Sequence, residues 1–309
     1  MKISLKPADD TTRYDVVVGT CGYESRSVEF LRSGCFEAAR RFAFGYGSHK
    51  TLSYESNLAA LRSAGFTVSD AEESEFPTLL DELLKEAEGK IDCQRPLQVF
   101  ADISCMTRLR LAQLVQGLST RRCDVDIYYS LAKFSPPPLE EPPNEFLEPV
   151  SSFYSGWSPD IELPVAVISG LGYENMRAIG LIDHLDAANV WLFFPESPIS
   201  KYDDAVRRAN ALLLRDISAS HVIRYPVENF STLCGRLFGL TAALRANYRC
   251  AILPLGPKLF ALASLLAGAL YRDVSVWRAS AGGFAEPKER APSGKNFRVR
   301  LVLEPDTEL

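Results

Sequence analysis

At 309 residues, with 47% hydrophobic and 24% charged residues, the chain has the balance of a folded protein and the length for one large or two ordinary domains. A formal net charge of -5 excludes a whole-molecule attraction to duplex nucleic acid or an anionic membrane and leaves room only for a local basic pocket. Seven cysteines (Cys21, Cys35, Cys93, Cys105, Cys123, Cys234 and Cys250) without a Cys-x-x-Cys pair, and only three histidines, argue against a metal site and for free thiols in a reducing cytoplasm.

The opening MKISLKPADDTTRYD has no apolar core of signal-peptide length. Short β-rich runs then alternate with helical patterns, the mark of a parallel sheet covered by helices. Strands are expected at Tyr14–Gly19, Arg41–Tyr46, Phe66–Asp70, Leu97–Ser104 and Asp124–Ala132, with an amphipathic helix over Phe76–Gly89. The proline-rich stretch Phe134–Pro149 can form neither helix nor central strand and reads as a linker. Beyond it the plan repeats, with strands at Pro164–Ser169, Asn189–Phe194, His221–Val227, Cys250–Leu255 and Val274–Ala279. A last strand, Phe297–Pro305, follows a polar loop over Ser280–Lys295. The apolar run Leu259–Tyr271 is too short to span a bilayer and reads as a buried helix.

These elements predict an α/β fold of two tandem Rossmann-like units, residues 1–133 and 161–309, joined by a 134–160 linker. Three matches in chain order point to internal duplication. Gly22-Tyr23-Glu24 with Arg26 answers Gly172-Tyr173-Glu174 with Arg177. SNLAAL with Asn57 answers ANALLL with Asn210, at 35 and 38 positions from the respective glycine. ADISCMTRLRLAQLV answers LPLGPKLFALASLL, each joining a fourth strand to an apolar helix.

In such sheets a ligand binds beyond the carboxyl ends of the strands, at the switch point. The loops after strands one and four therefore hold the candidate residues: Thr20, Gly22, Tyr23 and Arg26 with Ser104, Thr107 and Arg108 in the first half, and Gly170, Gly172, Tyr173 and Arg177 with Gly256 and Lys258 in the second. Small residues, helix N-termini and an Arg or Lys one turn in suit a phosphate-bearing ligand, and the two tyrosines suit a base. Neither Gly-x-x-x-x-Gly-Lys-[Ser/Thr] nor Gly-x-Gly-x-x-Gly is present, which weighs against nucleotide hydrolysis and dinucleotide redox chemistry, and no cofactor is expected. Glu24, Asp102 and Glu174 are the candidate acid–base groups. Glu24 and Glu174 equally fit dipole-favoured first-turn acids, and Asp102 a hydrogen-bonded structural carboxylate. Cys21 and Ser104 lack a histidine at nucleophile spacing. Arg177 to His184 and Arg215 to His221 fit the loose Arg-x-His pattern of HEPN ribonucleases by coincidence of composition.

The stretches GTCGYESR with DISCMTR, and SGLGYENMR with PLGPK, resemble the strand-one and strand-four loops of CARF (CRISPR-associated Rossmann fold) and related sensor domains of prokaryotic defence systems. The resemblance implies a cytoplasmic sensor of a nucleotide-type ligand, with an effector activity on a protein partner. In that family the ligand lies across a dimer two-fold, which leaves a homodimer and a tandem pair within one chain as alternatives. A second reading is an enzyme acting on a nucleotide or nucleoside (glycosidase, transferase or phosphodiesterase) through Glu24, Glu174 and Asp102. The stretch LFFPESP with Glu196 is faintly similar to nucleoside deoxyribosyltransferase-like proteins. A third is that one half has lost its site.

Overall fold

A computed structural model describes residues 1–8, 13–33, 38–92, 94–136, 146–158, 160–280 and 287–306. The chain divides into two compact units, Met1–Lys133 with Pro287–Leu309, and Phe134–Glu286. Elements are numbered along the chain.

The first unit contains β1 (Lys2–Lys6), β2 (Tyr14–Cys21), β3 (Ala38–Gly45), β4 (Thr67–Asp70), β5 (Leu97–Asp102), β6 (Cys123–Ala132) and β13 (Pro292–Glu304), in the order β1-β13-β6-β5-β2-β3-β4. The central strand β2 reads YDVVVGTC and is buried along nearly its whole length. That is why it shows no polar alternation: helices cover both faces of a parallel sheet. A nine-residue 3-10 helix, Ser25–Ser33, follows β2. The helices α1 (Tyr54–Ser63), α2 (Phe76–Glu88) and α3 (Arg108–Ser119) follow β3, β4 and β5. Proline in the first turn of α2 leaves no amide unsatisfied, and its Phe76, Leu80, Leu83, Leu84 and Ala87 form one buried stripe.

The second unit repeats this core. Its strands β7 (Phe146–Pro149), β8 (Val165–Gly170), β9 (Asn189–Glu196), β10 (Val222–Pro226), β11 (Arg249–Leu253) and β12 (Ser275–Ser280) run in the order β10-β9-β8-β11-β12-β7. The helices are α4 (Asn175–His184), α5 (Ser200–Ala209), α6 (Ala211–Asp216), α7 (Phe230–Leu244) and α8 (Lys258–Leu270). In α8 every residue from Leu259 to Ala269 is buried, so the apolar run is a core helix. Among the described residues no helix is long and apolar enough to cross a membrane.

Taken in chain order, the five parallel strands of each unit lie as third, second, first, fourth and fifth. Both units are thus Rossmann-like, with the switch point between β2 and β5 and between β8 and β11. Two sheets of the same order fit a duplication.

Three expectations change. The last strand does not close the second unit: β13 pairs antiparallel with β6 over Leu303↔Cys123 to Pro292↔Ala132 and carries β1 on its other edge. The sheets are therefore mixed. The proline-rich 134–160 region is not a free linker, since Phe146–Pro149 pairs antiparallel with β12 as an edge strand, where proline costs no ladder bond. Downstream, Tyr154 is fully buried beside α8, close enough that a Cβ on Gly268 would stand 2.9 Å from its ring. Residues 137–145, much of the polar loop (281–286), Cys35 and Cys93 lie outside the described residues, and the other five cysteines are free thiols.

What fixes β13 in the first unit is Asp126 of β6, fully buried in the sheet. Arg300 Nε donates to its Oδ1 at 2.6 Å, Arg298 Nη2 to its Oδ2 at 2.8 Å, and the Tyr14 hydroxyl to the same Oδ2 at 2.6 Å. Burial alone would raise the Asp126 carboxyl, but the donors Arg300, Tyr14 and Arg298 outweigh it and hold it below the usual range. A depressed folded value gives stability that is present above the unfolded value of about 3.9 and lost as pH falls through the folded one. Asp126→Asn is expected to cost about 1–3 kcal/mol at pH 7, because two partly buried guanidinium groups lose their charged acceptor. Urea unfolding at pH 7 and in the acid range should also show a shallower acid loss in the variant than in the wild type.

Candidate functional site

Both switch-point loops are built the same way. Asn57, buried in α1, donates through Nδ2 to the carbonyls of Gly22 and Glu24 at 2.8 Å each. Asn210, buried at the break between α5 and α6, donates to the Gly172 carbonyl at 2.7 Å. The spacings of 35 and 38 positions read from the sequence are thus the spans of two equivalent clamps. The arginines correspond as well. Arg26 Nη1 donates to the Ser130 carbonyl at 2.9 Å, and Arg177 Nη1 to the Ala279 carbonyl at 3.4 Å. Register makes these acceptors equivalent: Val18 pairs with Ala101 and Ile168 with Ile252, and those partners face Ile127 and Val276, each three residues before the acceptor.

The same register matches Asp102 with Leu253, Ser104 with Leu255 and Cys105 with Gly256, and here the units part. In the first unit the position is polar. Asp102 is fully buried at the end of β5 and accepts through Oδ1 from the Ser104 amide and hydroxyl, while the Ser130 amide donates to Ser104 Oγ at 2.8 Å. Glu24 Oε2 takes Arg26 Nε at 2.5 Å and faces Cys105 Sγ at 3.8 Å. In the second unit Leu253 and Leu255 are buried, and the two loops press backbone against backbone. A Cβ on Gly172 would stand 2.7 Å from the Gly256 amide, and one on Gly256, at φ +75°, would strike the Leu171 carbonyl. A Cβ on Gly170 would collide with the Phe260 ring. The glycines of this unit therefore serve close packing of the two loops.

Two guanidinium groups are buried at the carboxyl end of the first sheet, Arg26 at 4% and Arg110 at 1% exposure. Burial alone would lower Arg26, but Cys105, Tyr129 and Glu24 outweigh it and hold the charge firmly. Arg110 differs. It donates to the Ala71 carbonyl and, at 3.5 Å, to that of Phe44, and lies 3.7 Å over the Tyr46 ring. It makes no ion pair among the described residues, and burial pulls it below its ordinary value, only partly offset by Tyr46, Glu73 and Glu72. The Tyr46 hydroxyl ties this cation to the strand-four loop, accepting from the Thr107 amide at 3.0 Å and donating to the Cys105 carbonyl at 3.2 Å.

The other expected residues fall as follows. Thr20 is buried, and its carbonyl accepts from the Ser27 hydroxyl. Tyr23 is half-buried, edge-on to His49 at 6.4 Å. Thr107 caps α3, accepting from the Arg110 amide and donating to Glu73 at 2.7 Å. Arg108 is half-buried as the first residue of α3, and Lys258 likewise opens α8. Tyr173 stacks parallel to Tyr202 at 6.5 Å, and Glu174 is half-buried just before α4. Cys21 is fully buried, and burial pushes its thiol up to about 11, so it stays protonated. His221 stacks on Trp191 and pairs with the Val190 carbonyl, a packing role. No group of three His, Cys, Asp or Glu among the described residues is placed to hold a metal ion. Sequence reasoning missed Tyr46, Ser130 and Glu289. Glu289 reaches the loop residues Ser25 and Ser53 from 264 and 236 positions away, and no local pattern signals that.

No family model and no curated protein matches the chain. Among solved structures it is matched to the cytoplasmic domain of a prokaryotic cation chloride cotransporter, with 12% identity, 88% of this chain and 97% of that chain covered, and a TM-score of 0.25. A score that low carries no argument about function. The strand order and the loops themselves define the class: a tandem Rossmann-like α/β protein with one polar and one apolar switch point.

Replacing either clamp strands a buried carbonyl, at about 1–3 kcal/mol. Asn57→Ala should cost more than Asn210→Ala in urea unfolding, because Asn57 satisfies two loop carbonyls and Asn210 one loop carbonyl besides Val206 of its own helix.

Proposed function

We propose that the protein is a sensor or regulatory protein that binds a nucleotide-type, phosphate-bearing ligand at the switch point of the first unit. The observation that carries this reading is Arg110, a buried cation without an ion-pair partner among the described residues, under the loops where such a ligand binds. An unpaired buried charge is costly, and an anion above it offsets that cost. Arg108 at the start of α3 adds a second positive group, and the helix N-terminus adds its dipole. The polar strand-four loop favours the first unit over the second, whose loops fill their own crevice.

The acid–base reading is the weaker one. Glu24 is engaged by Arg26, and Asp102 is fully buried and bonded to Ser104, so both hold the loops in place. The CARF-like motifs support a role in prokaryotic defence, with the response carried by a protein partner, and the sequence duplication supports a single ancestral unit whose second copy lost its site.

Native mass spectrometry of freshly purified protein should detect a co-purifying nucleotide, and a panel of linear and cyclic nucleotides should include one that raises the Tm. Ligand at a hundred times its Kd stabilises by about 2.7 kcal/mol. Arg108→Ala should remove most of that shift, while Lys258→Ala should leave it intact. A panel with no effect on the wild type would overturn the reading.

A further inference from the structure

Glu289 precedes β13 and is exposed, yet its carboxylate is held by three donors from two distant loops. Ser25 donates to Oε1 through its amide at 2.8 Å and its hydroxyl at 2.7 Å, and the Ser53 hydroxyl donates to Oε2 at 3.1 Å. Ser25 opens the 3-10 helix after β2. Ser53 is the N-cap of α1, and its hydroxyl makes no capping bond to its own helix. Two helix N-termini therefore converge on one oxyanion, where amides and dipoles favour negative charge. Stability alone accounts poorly for the arrangement. An exposed carboxylate contact contributes about 0–1 kcal/mol, whereas a capping hydroxyl turned to its own helix is worth about 1 kcal/mol.

The position adds to the argument. Ser25 lies between Glu24 and Arg26 on the strand-one loop, and Ser53 is tied to the same loop through its amide, which donates to the Tyr23 carbonyl at 3.1 Å. At the same end of the sheet the fully buried Ser130 hydroxyl has no partner among the described residues, next to the carbonyl that holds Arg26. Burial would raise the Glu289 carboxyl, but the Ser25 and Ser53 donors prevail and hold it below its usual range.

We propose that Ser25 and Ser53 form an oxyanion seat at the switch point and that Glu289 is a built-in competitor for it, displaced when a ligand phosphate arrives. The proposal rests on the first unit being the ligand-binding one. It gives the ligand a mechanical consequence. Residues 287–291 lead directly into β13, and the Ala291 carbonyl accepts from the Lys133 amide at 2.8 Å, so releasing Glu289 frees a segment anchored at its far end.

The test compares full-length wild type, Glu289→Gln and Glu289→Ala by isothermal titration calorimetry, with inorganic phosphate and with the nucleotide panel as probes. Removing an internal competitor raises apparent affinity by the reciprocal of the open fraction, so both variants should bind phosphate up to about fivefold more tightly than wild type. Adding Ser25→Ala and Ser53→Ala to Glu289→Ala should erase the gain, and Tm values confirm that each variant is folded. If wild type and Glu289→Ala bind a nucleotide equally and phosphate equally weakly, the competitor is overturned and the nucleotide reading stands. If Glu289→Ala gains phosphate affinity but neither protein binds any nucleotide, the seat stands and the nucleotide reading falls. Absence of both effects overturns both.

Discussion

The first unit depends on one carboxylate. Asp126 sits inside the sheet with Arg298, Arg300 and Tyr14 around it, and these residues come from β6, from β13 and from the start of β2. A charge so placed is tolerable only when fully paired, so β13 has a single register against β6, and a slip of one residue would turn both arginines to the other face. That register in turn determines where the residues just before β13 emerge. Glu289 reaches the loop after β2 because β13 is locked at its far end. A network in the body of the sheet thus sets the geometry of the switch point.

Around this frame the two units share a skeleton and differ in chemistry. Asn57 and Asn210 hold the strand-one loop, and Arg26 and Arg177 reach the same backbone position on the fifth strand. These bonds serve the backbone, and a turn between a buried strand and a helix needs them whatever the loop binds. The fourth strand is where the units diverge. Asp102 and Ser104 must be hydrogen-bonded where they lie, and they draw in the Ser130 amide, while Leu253 and Leu255 need only to be packed. Once the position is apolar, the loops can close on each other, and Gly172 and Gly256 let them do so.

How much of this the sequence carried follows from the range of each interaction. The strands of both cores were legible because valine-rich runs bounded by turns are local signals, and the Asn57 and Asn210 correspondence was legible because its span is short and repeated. The placement of β13 was not. Its antiparallel partner lies about 170 positions away, and the pairing of Arg298 and Arg300 with Asp126 spans the same distance, so no local pattern signals it. Edge strand β7 was hidden because prolines forbid a central strand but not an edge. The strand-one and strand-four loops meet within each unit, at Glu24 with Cys105 and at Gly172 with Gly256, and Thr20, Ser104 and Asp102 are engaged inside the fold. The polar site and the closed one could not be told apart from GYE alone, since the difference lies in what the fourth strand places opposite that turn.

The contrast between the two helices after strand one carries the argument a step further. In the second unit α4 is a regular helix. In the first, Ser25–Ser33 is a 3-10 helix of nine residues, longer than that geometry usually runs because its hydrogen bonds are poorer. It is anchored by buried groups, Arg26, Ser27, Glu29 and Phe30, rather than by backbone regularity. The switch point of the first unit therefore combines a rigid floor, the paired sheet with Asp102 and Asp126, and a rim held by a few exposed bonds to Glu289. Rearrangement is cheapest where few bonds are exchanged and solvent is at hand, so on the proposed reading a ligand at this switch point moves the rim and leaves the sheet unchanged.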